Sequence, residues 1–243
     1  MNASYTLGPP TSTFGPSPRI TSVFGVAGLF LCLPAWMVAY GTNERVAWMI
    51  CFTLAAILVA LAVWQLSFRA AVHQSGISCR NIFFSKEWLW NEVDGVYYSA
   101  IEVRTRFIPL GEFYRLNLRN VYGQRLSLTN HFDRHEELAT TIAQCTFKRL
   151  AESALHSFTS GSTVEFGAVT ISLADGVTLK RRFFQQKIPW QNIERYGISG
   201  SSITFGLHTG LFTEPTISAG RVANLHVLKF LLDHIAKQGT TRA

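Results

Sequence analysis

The sequence predicts an α+β protein: a two-helix transmembrane hairpin followed by two tandem modules, each a bent antiparallel sheet with a C-terminal helix. Three observations indicate this class: two charge-free apolar runs, a pattern that repeats after one hundred residues, and a helical pattern ending each copy. The predicted segments are a disordered leader over residues 1–19, the hairpin over 20–67, the first module over 68–157 and the second over 158–239.

The leader, MNASYTLGPPTSTFGPSP, carries four prolines and no charge. Segments of this composition bury too little apolar surface to fold, so disorder is predicted. A cleaved signal peptide is the less favoured alternative, because only Arg19 precedes the apolar run and a second run follows directly.

The two apolar runs read TSVFGVAGLFLCLPAWMVAY and VAWMICFTLAAILVALAVWQL, and GTNER joins them. Each has about 20 residues, the length that crosses about 30 Å of hydrocarbon as a helix. Because the turn between the two spans is so short, the chain before the first span and after the second lies on the same side of the bilayer. Because Arg19, Arg69 and Arg80 flank that side, the predicted location is the cell membrane, with both termini in the cytoplasm.

The net charge is +7 and the pI is near 9.5. A basic body suits a surface of anionic headgroups. The longest basic run is Lys180-Arg181-Arg182, so nucleic acid is not a predicted partner. The apolar runs contain no ionisable side chain, which argues against a transporter or pump.

The internal repeat starts after the second apolar run. The matched positions are a Gly, a basic residue, a Phe-Phe pair and a Trp: Gly76, Arg80, Phe83-Phe84 and Trp90 match Gly176, Lys180, Phe183-Phe184 and Trp190. Period-two alternation predicts strands with Leu116 and Leu118 on one face, and likewise Leu126 and Leu128. Helical patterns follow Asp133 in the first copy and Arg221 in the second.

A family pattern covers most of residues 159–235. Its positions are Gly161, VEFG at 164–167, Gly176, Ile188-Pro189-Trp190, Ile193, Gly200, Ala223-Asn224 and Leu228. On these residues the chain resembles a bacterial family of uncharacterised membrane-anchored proteins with pleckstrin-homology (PH)-like domains. The resemblance implies PH-like modules at a membrane and carries over no activity. The first copy departs from the pattern, because Leu89 stands where Pro189 does and no Phe-Gly pair precedes Gly76.

The candidate site is an anionic-lipid-binding cluster of Lys180, Arg181 and Arg182 beside Phe183-Phe184. The resemblance is relevant because PH domains often bind phosphoinositides through basic residues on early strands. The favoured alternative is a solvated strand face over a packed aromatic pair, since Phe83-Phe84 repeats the pair without the basic cluster.

Other chemical patterns receive structural interpretations. Trp90 and Trp190 are predicted to anchor the cores, with a binding platform as the alternative. His131 and His135 have the spacing of two metal ligands on a helix, but no third ligand follows, so no metal is predicted. The four cysteines lack CxxC spacing and are interpreted as buried thiols. No catalytic motif and no cofactor is predicted.

The sequence thus predicts a membrane-anchored, non-enzymatic PH-like scaffold or binding protein on the cytoplasmic membrane face. Its predicted partners are the membrane itself, anionic phospholipid headgroups and a membrane protein. The alternative is a regulatory or accessory subunit that contacts a membrane complex through the hairpin.

Overall fold

The computed structural model describes residues 7–18, 22, 45–104, 109–129, 132–199, 202–208 and 214–240. Side chains at 45–48, 51, 100–113 and 238–240 are outside that description. The described residues form four antiparallel sheets, three α-helices and two short 3-10 helices. They are thus mostly β, which corrects the predicted α+β class with its transmembrane hairpin. Two compact units emerge: residues 1–89 with 130–138 form unit 1, and residues 90–129 with 139–243 form unit 2. The predicted module boundaries stay a prediction.

Unit 1 contains one four-stranded antiparallel sheet in the order β1-β2-β3-β4. Its strands are β1 (Pro10–Phe14), β2 (Arg69–His73), β3 (Gly76–Arg80) and β4 (Ser85–Leu89). Strand β1 lies within the predicted disordered leader and pairs with β2. Composition within the leader could not show this, because the partner strand lies beyond the second apolar run.

Helix α1 (Arg45–Leu66) leads into β2. Its described side chains are mostly apolar and exposed, with Phe52 68% exposed. At its end, Phe68 makes edge contacts with Trp64, Phe84 and Phe132 at centroid distances of 5.2, 6.4 and 6.2 Å. This aromatic group holds the start of β2 inside unit 1.

None of the helices in the described ranges combines the length and the apolar character that crossing a membrane takes. This contradicts the predicted hairpin, the membrane-anchored function, the hairpin-mediated subunit alternative and the two-span localisation with cytoplasmic termini. The first predicted span, residues 21–40, lies outside the described residues apart from Ser22.

Unit 2 contains the other three sheets. Their strands are β5 (Val93–Arg104), β6 (Pro109–Asn120) and β7 (Arg125–Thr129); β8 (Val164–Phe166), β9 (Val169–Ser172), β10 (Gly176–Lys180) and β11 (Gln185–Ile188); and β12 (Ile193–Ile198), β13 (Ser202–Leu207) and β14 (Thr216–Ser218). Neighbours along the chain pair within each sheet, in the orders β5-β6-β7, β11-β10-β9-β8 and β12-β13-β14. Helix α2 (His135–Thr159) enters unit 2 at residue 139, and α3 (Leu225–Thr240) lies within it.

Strand register follows the hundred-residue repeat. Ile77 pairs with Trp88 in unit 1, and Val177 pairs with Ile188 in unit 2. The repeated Gly has a steric reason: a Cβ at Gly76 would lie 2.1 Å from the carbonyl oxygen of Trp88. At Gly176 the same Cβ would lie 2.2 Å from the carbonyl oxygen of Ile188. A residue without a side chain is needed where the adjacent strand passes this closely.

The main core of unit 2 joins both parts of the chain. Leu150, Ala154 and Phe158 of α2 are buried in one cluster with residues of β9, β10 and α3. Alternation in β6 and β7 is as predicted, because Leu116, Leu118, Leu126 and Leu128 are all buried. The helix that was expected to close only the first copy therefore packs against strands of the second.

Candidate functional site

The predicted basic cluster lies at the hairpin turn between β10 and β11. Lys180, the last residue of β10, pairs with Gln185, the first of β11. Across the turn, the Arg181 amide donates a hydrogen bond to the Phe184 carbonyl at 2.9 Å. We call residues 180–184 the basic-aromatic turn.

The aromatic rings of this turn are exposed rather than packed. Phe183 is 87% exposed and Phe184 56%. Each ring carries an arginine: the Arg182 guanidinium lies 5.4 Å from the Phe183 centroid, and that of Arg181 lies 5.5 Å from the Phe184 centroid. The interpretation of Phe183-Phe184 as a packed pair is therefore wrong, because both residues lie in the turn, beyond the strands that cover the core.

Lys180 differs from the two arginines. Its Nζ forms an ion pair with Glu165 Oε1 at 2.9 Å, and its carbonyl accepts a hydrogen bond from Arg221 at 3.0 Å. In the part of the chain that the structure describes, neither Arg181 nor Arg182 pairs with a carboxylate. Arg181 and Arg182 thus carry charge at the turn that no described carboxylate offsets. Lys180 instead forms an ion pair with Glu165 at the end of β10.

The first copy has the same turn with different chemistry. The Asn81 amide donates to the Phe84 carbonyl at 2.8 Å, and Asn81 Oδ1 accepts from the amides of Phe83 and Phe84. Phe83 is 78% exposed. This turn exposes an aromatic ring but has Asn81 and Ile82 where the second copy has two arginines.

Trp190 supports the core-anchor interpretation. Its indole Nε1 donates to the Ser172 carbonyl at 3.0 Å, and its ring meets Phe158 edge-on at 6.4 Å. Trp90 is half-buried. A platform for a ligand would leave one ring face open, whereas Trp190 packs against the core of unit 2.

The histidines and cysteines that the sequence singled out lie in different environments. His131 lies outside the described residues, and His135 begins α2. Among the residues the structure describes, no three His, Cys, Asp or Glu side chains group as metal ligands would. Cys79 is buried, and desolvation raises the pKa of its thiol to about 11, but Cys145 is exposed, which corrects the expectation of buried thiols there.

A second feature was missed by the sequence reasoning: a cavity of about 370 Å³ over the outer face of β5, β6 and β7. It is lined by Tyr97, Arg115, Asn117, Leu118, Arg119, Arg125 and Gly220. The motif RLNLR at 115–119 contained the signal, because burying its leucines turns its polar residues to the opposite face. The position of β7 relative to β6 was the missing information.

Arg119 is held in a fixed position within this cavity. Its Nε and Nη2 donate to the two carboxylate oxygens of Asp94 at 3.1 and 3.2 Å, and its guanidinium lies 5.9 Å from the Tyr97 centroid. The hydrogen bonds to Asp94 raise the pKa of Arg119 above its usual value. The guanidinium therefore stays charged and oriented.

Comparison with known proteins yields a family but no activity. No curated protein matches the chain. Among solved structures, a chain from "Structure of the Spt16D Pob3N heterodimer" matches at 11% identity and a TM-score of 0.21, covering 62% of this chain and 86% of that one. A likeness this distant carries no argument. The family model described as "Family of unknown function (DUF6585)" matches residues 1–241, and the chain therefore belongs to that family.

Proposed function

We propose that this protein is a non-enzymatic binding protein whose basic-aromatic turn docks peripherally on anionic phospholipid headgroups. The observation that carries the proposal is the exposure of Phe183 at the end of a hairpin, with an arginine over its ring. An exposed aromatic ring flanked by cations matches the boundary between acyl chains and headgroups.

The charges of the turn favour an anionic surface over a neutral one. Arg181 and Arg182 have no carboxylate partner among the described residues, so their attraction for headgroup phosphates is not offset locally. Each basic residue close to an anionic leaflet contributes about 1 kcal/mol. Phe183 adds apolar burial on insertion, and an arginine guanidinium lies over each of the two exposed rings.

Two contacts favour the observed conformation of the turn. They are the hydrogen bond between the Arg181 amide and the Phe184 carbonyl and the ion pair between Lys180 and Glu165. A preformed turn loses little conformational entropy when it binds. In this proposal Lys180 positions the turn, and Arg181 and Arg182 contact phosphate.

The test is sedimentation of the full chain with vesicles of phosphatidylcholine, with and without phosphatidylserine. We expect binding only to vesicles that contain phosphatidylserine. The double variant Arg181→Ala/Arg182→Ala should bind about 30-fold more weakly, since it loses about 2 kcal/mol. Phe183→Ala should bind several-fold more weakly without changing the charge.

The charge-matched control is Lys148→Ala/Lys229→Ala, which removes two exposed cations from α2 and α3. It should bind like the unchanged protein. The proposal fails if vesicles with phosphatidylserine bind no protein, or if the control loses as much binding as the double arginine variant. Raising the salt concentration should weaken binding, because screening shortens the range of the attraction.

A further inference from the structure

We infer that the cavity over β5, β6 and β7 is a second binding site, which takes a small phosphorylated molecule. This site is separate from the basic-aromatic turn and does not depend on the lipid proposal. It rests on the polar composition of one sheet face, on the cavity above it and on the orientation of its cations.

Strand register brings the polar residues together. On β6, Arg115, Asn117 and Arg119 alternate with buried leucines, so they share the outer face. On the same face, Arg119 lies opposite Arg125 of β7 and Asn117 lies opposite Tyr97 of β5. Three guanidinium groups and one amide are thus gathered on a single three-stranded sheet.

The arginines of this face differ in how their charge is offset. Arg119 and Arg125 lie directly opposite each other on neighbouring strands. Asp94 satisfies Arg119 through both carboxylate oxygens. No hydrogen bond or ion pair to the side chains of Arg115 and Asn117 is found within the described ranges, so both are available to a ligand.

The geometry suits phosphate. A guanidinium presents parallel N–H groups that match two oxygens of a phosphate group, and an amide N–H adds a neutral donor. Arg119 is already oriented by Asp94 and by the Tyr97 ring, as preorganised anion recognition requires. A volume of about 370 Å³ is in the range of small-molecule sites.

The experiment measures thermal unfolding and calorimetric binding of the full chain with three soluble probes: pyrophosphate, glycerol 3-phosphate and citrate. We expect both phosphorylated probes to raise the unfolding temperature and citrate to have little effect. Arg115→Gln should weaken pyrophosphate binding about tenfold or more, since it removes a charge-assisted contact. Arg115→Lys should recover only part of the affinity, because the ammonium lacks the bidentate fork.

The matched control is Arg195→Gln, which removes an exposed arginine of β12 that pairs with Glu214. It should leave pyrophosphate binding unchanged. Without ligand, Arg115→Gln should unfold at the same temperature as the unchanged protein, which separates a binding role from a structural one. The inference is overturned if no phosphorylated probe binds, if citrate binds equally well, or if Arg115→Gln binds pyrophosphate as tightly as the unchanged protein.

Phosphatidic acid vesicles distinguish the source of the phosphate. If Arg115→Gln loses glycerol 3-phosphate but sediments normally with these vesicles, the ligand is a soluble metabolite. If it loses both, the cavity takes a lipid headgroup, and the phosphate chemistry stands. The double variant Arg181→Ala/Arg182→Ala tests whether the two sites act separately. They do if it loses vesicle binding but keeps its affinity for pyrophosphate.

Discussion

Asn224 is hydrogen-bonded to both backbone polar groups of Val96. Its side-chain Oδ1 accepts from the Val96 N–H at 2.8 Å, and its backbone N–H donates to the Val96 carbonyl at 2.7 Å. Its Nδ2 also donates to the Asp94 carbonyl at 2.8 Å. Asn224 directly precedes α3 and has φ of +51°, so one residue attaches the start of that helix to the edge of β5.

We expect Asn224→Ala to lower the free energy of unfolding by about 2 to 4 kcal/mol. The change leaves the buried Val96 amide without an acceptor and places alanine at a positive φ. Urea unfolding followed by circular dichroism measures the loss. Asn224→Gly removes the same hydrogen bonds but relieves the backbone, so it should be less destabilised. Equal stability of the alanine variant and the unchanged protein would contradict the role of Asn224.

Gly176→Ala should destabilise unit 2 by about 2 kcal/mol or more, because φ is +92° and the new Cβ would meet the Ile188 carbonyl oxygen. Chemical unfolding measures this effect as well. Gly197→Ala in β12 is the matched control, since its Cβ would have nothing within 4 Å, and it should change stability by about 0.5 kcal/mol or less. Similar losses in both variants would show that close strand approach is not the cause.

We expect the stability of the folded chain to depend on pH through His226. It lies 5.9 Å from the Phe147 ring, and its Nε2 is buried with no hydrogen-bond partner among the described residues. Burial lowers the pKa of His226 below 6.5, so the unfolded chain takes up the proton first. The stability that the folded chain gains from neutral His226 is fully present above pH 6.5. It is lost as the pH falls from 6.5 through the folded-state pKa.

Unfolding free energies measured from neutral to mildly acidic pH test this expectation. His226→Phe should decline less steeply with acidification than the unchanged protein, because no proton is taken up at this position. Phe147→Leu removes the ring that packs against His226 and keeps the imidazole. It should therefore lower the unfolding free energy at every pH, with little change in how steeply that free energy falls with acidification. If the slope of His226→Phe matches that of the unchanged protein, another group causes the acid dependence.

The basic-aromatic turn and the cavity over β5, β6 and β7 differ in how much of each could be predicted from the sequence. Arg181 and Arg182 stood out as a run of charge, but the exposure of Phe183 did not follow from its neighbours in sequence. Alternation around Leu116 and Leu118 indicated which face of β6 is buried, yet the meeting of Arg119 with Arg125 depends on strand register. The charge-free runs suggested a membrane hairpin that the structure does not support.

By itself the sequence determined the strand alternation of β6 and β7 and the hundred-residue repeat. Alternation depends on a period of two residues, which can be read within one strand. The need for glycine at positions 76 and 176 comes from the neighbouring strand, whose carbonyl oxygen a Cβ would meet. The tertiary structure decided the pairing of β1 with β2, the exposure of the basic-aromatic turn and the gathering of arginines above one sheet. Strand pairing and burial join residues far apart in the chain, so no local pattern specifies them.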